Sequence, residues 1–154
     1  MAGCRNATPD DATSIAQMLH DFNVEYEEPS PGPSVLEPRI RGFIREGPKH
    51  FLLADDDVGV QGFAQFDFHV SVWSDGPILF LDELYVKPTH RGYGLGKMMM
   101  ETMVSIARER GASGMEVVTG EDDTAARGLY ESFGFENEIE GSDRTRSLFY
   151  ELEF

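Results

Sequence analysis

The chain has 154 residues, with 28 Asp+Glu against 13 Lys+Arg, for a formal net charge of −15; 40% of it is hydrophobic and 11% aromatic. That length suits one domain spanning residues 1–154 with a sizeable core, and the apolar content excludes a disordered polyanion. So negative a surface repels phosphate backbones, which argues against nucleic acid as a partner and favours a small cation.

Cys4 is the single cysteine, so an intrachain disulfide and a thiol metal cluster are excluded. No apolar run approaches the ~20 residues that span a bilayer, and the stretch from Met1 to Asn6 lacks the apolar core of a signal peptide. A cytoplasmic protein without membrane association is expected.

A short opening strand is predicted at Arg5-Asn6-Ala7. Thr8-Pro9-Asp10-Asp11 then reads as a helix start, and Ile15, Leu19, Phe22 and Tyr26 form one apolar stripe. Pro29, Pro31 and Pro33 break that helix. A second helix is predicted after Ser34, with Leu36, Ile40, Phe43 and Ile44 on one side, ending at Gly47-Pro48. The period then changes to strands: His50 to Ala54, an alternating run from Gly62 to Val72, and an apolar run from Ile78 to Val86 interrupted by Asp82-Glu83.

A long helix is expected from Leu95 to Arg110, buried through Leu95, Met98, Met99, Thr102, Met103 and Ile106 and capped by Gly111. Met115–Thr119 reads as a strand, Thr124–Phe133 as a helix, and Phe135–Ile139 and Leu148–Phe154 as two last strands. The order is roughly β-α-α-β-β-β-α-β-α-β-β, an α/β chain (α+β in its mixed sheet) with helices on the sheet faces.

Arg91-Gly92-Tyr93-Gly94-Leu95-Gly96-Lys97 lies between a predicted strand and a predicted helix. Three glycines there let main-chain N–H groups approach an anion, with the helix dipole adding positive potential, which suits a pyrophosphate. The spacing G-x-G-x-G is not the dinucleotide G-x-G-x-x-G, and Met98 follows Lys97 where a Walker loop needs Ser or Thr.

Downstream stands Asp123-Thr124-Ala125-Ala126-Arg127-Gly128-Leu129-Tyr130, followed by Gly134-Phe135. With these residues the chain resembles the GNAT superfamily of N-acetyltransferases, strongly over residues 78–135. Arg91, Gly94 and Gly96 match its acetyl-CoA loop [RQ]-x-x-G-x-[GA], and Ala126, Leu129, Tyr130, Gly134 and Phe135 match its later helix and G-F pair. Asp123 departs from the Asn of many members, which puts a hydrogen bond donated to the pantetheine in doubt.

The resemblance implies the GNAT acyl-CoA N-acyltransferase fold, acetyl-CoA as co-substrate with no metal, and direct transfer to an amine. It implies that a backbone N–H of Leu84 polarises the thioester carbonyl, that Val86 pairs the pantetheine arm, that residues 91–97 hold the diphosphate with Asp123 and Ala126 assisting, and that Tyr130 protonates the leaving sulfur. An alkylammonium with a pKa near ~10 needs a base. The position four residues before Val86, Asp82, serves that role in acetyltransferases acting on polyamines or aminoglycosides, with Glu83 held in reserve. Strand neighbours point to opposite faces, so both acids reach one side only across a bulge. Among the histidines only His69, alternating with Asp67, is a candidate substrate contact, and none has metal-ligand spacing.

Acidic clusters that include Glu27 and Glu28 fall in the regions that build the family's acceptor site, and they predict a cleft that concentrates a cationic amine. An aminoglycoside ranks first, beside polyamines. A protein N-terminus or lysine as acceptor, and a non-catalytic acyl-CoA sensor, are the alternatives. Dimers are frequent in the family, and the sequence leaves a homodimer open.

Overall fold

In a computed structural model of the chain, which describes residues 1–137 and 148–154, strand β1 (Gly3–Asn6) leads into a single 3-10 turn at Pro9–Asp11 and then helix α1 (Ala12–Glu25). The Thr8 N–H donates to Asp11 Oδ2 at 2.7 Å, so the acid three residues on secures the entry to the helix. Helix α2 (Pro33–Glu46) begins at a proline, where a missing N–H costs nothing, and ends at Gly47. Strands β2 (His50–Asp55), β3 (Val60–His69) and β4 (Ile78–Val86) follow, then α3 (Leu95–Glu109), β5 (Gly114–Val117) and α4 (Thr124–Ser132). Two compact units result, 1–118 and 119–154, the second holding α4.

The five strands of the first unit form one sheet in the order β1-β2-β3-β4-β5, antiparallel except for the parallel pair β4–β5. Residues directly opposite across a ladder share a face. Phe51, Leu53, Phe63 and Tyr85 pack with Ala12, Ile15, Ala16 and Met18 of α1 and Ile40 of α2. On the other face a Cβ added at Gly62 would meet Met99 Cε of α3 at 3.3 Å, which places α3 over Gly62, Ala64, Leu84 and Val86. Helix α3 buries Leu95, Met99, Met100, Met103 and Ala107. Met100 and Ala107 are buried there, while Met98, Thr102 and Ile106, expected on the buried stripe, are half-buried.

Strand β4 pairs Glu83 with Gln65 but Leu81 with Phe66, so Asp82 is an extra residue, a β-bulge. Before it the odd residues Leu79 and Leu81 face α3; after it the even residues Leu84 and Val86 do. The alternation reverses at the acidic pair.

Three further expectations change. The alternating run continues in sequence to Val72, yet β3 ends at His69, because its partner β4 begins opposite it at Ile78. Val70, Val72 and Trp73 lie more than nine-tenths exposed in the connecting loop. Phe43, expected on the buried stripe of α2, is 41% exposed. The two terminal strands are absent among the described residues: residues 133–137 and 148–154 carry no strand, and the end of the first prediction, 138–139, lies outside the described residues.

Candidate active site

Strand β5 pairs with β4 only as far as Leu81↔Val117. Beyond that point β4 runs on for five residues with a free edge on that side among the described residues. The main-chain groups alternate along a strand. The Lys87 N–H donates to Gln61 O at 2.9 Å, toward β3, so Leu84 and Val86 turn their N–H and C=O toward the open edge. The Val86 carbonyl accepts from Arg91 Nε at 2.8 Å. The early end of β5 creates this open edge.

The chain then turns through the glycines. Gly92 and Gly94 take φ of 79° and 85°, left-handed values that side chains resist, and Gly94 is the N-cap of α3. A Cβ added at either would meet nothing within 4 Å, so the turn stands open to an incoming group. The first intrahelical bond is Met98 N–H to Gly94 O at 2.9 Å. The N–H groups of Leu95, Gly96 and Lys97 before it are directed out of the helix end, the donor set an anion requires. Leu95 itself is buried and anchors the turn, while Tyr93 is 81% exposed and Lys97 pairs loosely with Glu101 at 3.9 Å.

Arg91 is engaged by other groups of the protein. Its guanidinium makes a two-pronged pair with Glu25 at the end of α1, at 2.5 and 2.6 Å, and lies 5.7 Å from the centre of the Tyr85 ring. Arg91 thus ties α1 to the end of β4 and holds the Glu25 carboxyl below its usual range. Sequence reasoning missed Glu25 as the partner, since nothing in a linear pattern joins it to residue 91.

Because of the bulge, Asp82 and Glu83 both lie on the α1 face of the sheet, with Asp67 and Phe80 nearby. Lys49, one residue before β2, donates to Asp67 and, at 2.7 Å, to Asp82 Oδ2. His69 Nε2 lies 2.7 Å from Asp67 Oδ1, and its ring stacks on Phe80 at 5.1 Å. Glu83 makes no ion pair among the described residues; burial, with the Asp82 charge adding to it, pushes its carboxyl up to about 7. No sequence signal pointed to Lys49.

Glu27 and Glu28 are exposed in the loop after α1, Glu27 with φ 56° and the Glu28 N–H bonded to Asn23 O at 2.8 Å. In the second unit, Asp123 is the N-cap of α4 and accepts from the Ala126 N–H at 3.1 Å. An acid is as good a cap as the Asn it replaces, which gives the departure a structural reason. Tyr130 is buried and its ring lies 5.8 Å from that of Phe135. A recess of about 300 Å³ at the start of β2, whose lining includes Asn6, Ile44, Lys49, His50, Ile106 and Arg110, lies at the far end of α3 from the glycine turn. Among the described residues no group of three metal-ligating side chains converges, and no helix is long and apolar enough to cross a membrane.

A family model described as the acetyltransferase (GNAT) family matches residues 15–135. The thialysine N-epsilon-acetyltransferase of Bos taurus is 28% identical over 149 residues, covering 89% of this chain and 86% of that protein. An aminoglycoside N(6')-acetyltransferase type 1 of Stenotrophomonas maltophilia is 25% identical over 135 residues, covering 86% and 84%. A crystal structure from Arthrobacter sp. FB24, provisionally described as an acetyltransferase, superposes with a TM-score of 0.84 at 38% identity over 97% of this chain and 96% of that one.

Proposed function

The chain belongs to the acetyltransferase (GNAT) family and is an N-acetyltransferase; on that premise we propose that it transfers acetyl directly from acetyl-CoA to a primary amine of a small cationic acceptor. The observation that carries this reading is a juxtaposition on β4: the N–H of Leu84 turns to a strand edge left open among the described residues, and the carboxyl of its neighbour Glu83, pushed up to about 7, stands on the α1 face, which this reading takes as the acceptor face.

The residues present fit the coenzyme. Gly92 and Gly94 leave room for a diphosphate and the first N–H groups of α3 are directed at it, while the edge at Leu84 and Val86 can pair a pantetheine amide. Bound acetyl-CoA supplies the acetyl group as a thioester, whose C–S bond gives way to the new C–N bond. Glu83 accepts the proton of the arriving ammonium, a task for which a carboxyl near neutrality is matched. Asp82, already engaged by Lys49, contributes negative field on the same face instead of acting as the base. The Leu84 N–H stabilises charge developing on the carbonyl oxygen. The family resemblance assigns Tyr130 the proton delivered to the departing sulfur. Arg91, by its bond to the Val86 carbonyl and its grip on Glu25, positions the turn.

The net charge of −15 favours a cationic acceptor, as do relatives whose names refer to thialysine and to aminoglycosides. Thiol release from acetyl-CoA, measured against aminoglycosides, polyamines, amino acids including thialysine, and peptides, tests the reading. Small cationic amines should turn over fastest, with KM climbing as salt is added. Turnover confined to peptides, or a KM indifferent to ionic strength, would refute it.

A further inference from the structure

Three carboxylates meet on the acceptor face, from Asp67, Asp82 and Glu83, and two of them are bridged by one ammonium. Lys49 lies on the same face as Phe51 and Leu53 by strand alternation, and its Nζ bonds both Asp67 and Asp82. The cluster is held in place from below. Asp67 is 8% exposed, with His69 against its other oxygen and Phe80 stacked on the His69 ring. Lys49 retains 24% side-chain exposure and Asp82 23%, so the bridge is open to an acceptor from solvent. Glu83, adjacent in sequence to Asp82, is the carboxyl left without a cation among the described residues.

We propose that Lys49 is a specificity-determining residue: a resident ammonium that fills a second cation subsite beside Glu83, so that the enzyme favours acceptors whose only ammonium near the reacting end is the one acetylated. This rests on the acceptor-site reading above. A second ammonium a few ångströms from the first must either displace the Lys49 Nζ from both carboxylates or stand beside it as a like charge. An acceptor whose neighbouring group is neutral or anionic meets neither obstacle. The wild-type cleft, though acidic, is therefore selective against short diamines.

The test compares 1,4-diaminobutane with butylamine in the thiol-release assay, for wild type, Lys49→Gln and Lys49→Arg. Lys49→Gln should lower KM for the diamine about tenfold relative to butylamine, because it frees Asp82 and Asp67 for the second ammonium. The change should lie in KM and not in the ratio of kcat values, whereas a merely structural role would depress kcat for both amines alike. Lys49→Arg, which keeps the charge, should keep the wild-type ratio. Should Lys49→Gln not fold, Lys49→Gln/Asp67→Asn removes one charge of each sign and still frees Asp82. An unmoved diamine-to-monoamine ratio in the folded variant overturns the Lys49 assignment alone. A wild-type protein that acetylates no amine overturns the acceptor-site reading and this inference together.

Discussion

Glu83→Gln separates catalysis from stability at one residue. The carboxyl is raised from 4.5 to about 7, first by burial and then by Asp82, a difference worth about 3 kcal/mol. Its folded value lies above its unfolded one, so between pH 4.5 and 7 the native state holds a proton that the unfolded chain has released. Wild-type stability from this group is therefore complete below pH 4.5, falls as pH rises to 7, and is level above that. Gln copies the protonated form at every pH. The variant should match wild type near pH 4.5 and exceed it at pH 8 by up to about 3 kcal/mol, roughly 6–12 °C in Tm for a chain of this size. Activity should move the other way. Wild-type kcat/KM should rise with pH and level off near 7 as Glu83 becomes a base, and Glu83→Gln should lose that limb with a fall of about 10²–10⁴ in rate. Urea denaturation at pH 5 and pH 8, with a pH–rate profile for both proteins, reads out each half. A stability difference that is the same at both pH values refutes the buried-carboxyl argument. A wild-type rate that climbs unbroken toward the amine's own pKa near ~10 refutes the assignment of a protein base.

Gly94→Ala forces a Cβ onto φ 85° and into open space at the head of α3. It should cost roughly 1–2 kcal/mol in denaturation experiments and weaken coenzyme A binding at least about tenfold by calorimetry. Unchanged heats of binding would mean that the turn does not contact the diphosphate. Tyr130→Phe should leave coenzyme A affinity nearly intact and cut kcat, and equal turnover would remove the general-acid role.

How much of this was legible in the residues differs from element to element, and the bulge shows why. The glycine turn was readable because its conformational demand is local: φ near 80° at Gly92 and Gly94 calls for glycine whatever surrounds it, and Leu95 follows as the first buried residue of α3. Helices α1 to α3 were readable because a stripe needs only one sheet face to pack on. The acidic pair was not readable in this way. Simple alternation sends Asp82 and Glu83 to opposite faces, and only the pairing partner reveals that Gln65 and Phe66 face Glu83 and Leu81, with Asp82 between. Yet the sequence does hold the trace of it. Leu79 and Leu81 keep one parity and Leu84 and Val86 the other, so a hydrophobic face continues through β4 only if one residue is inserted between them. The same slip leaves Asp82 for Lys49, a partner 33 positions away that no local pattern could supply, and leaves Glu83 partly buried without a cation among the described residues. Both the elevated carboxyl and the occupied one follow from a single extra residue, so deleting Asp82 should return Glu83 to ordinary register while stranding Lys49 against Asp67 alone. The elevated titration of Glu83 has its main cause in burial on this face, with the Asp82 charge second, and is therefore a property of the strand's geometry before it is a property of the residue.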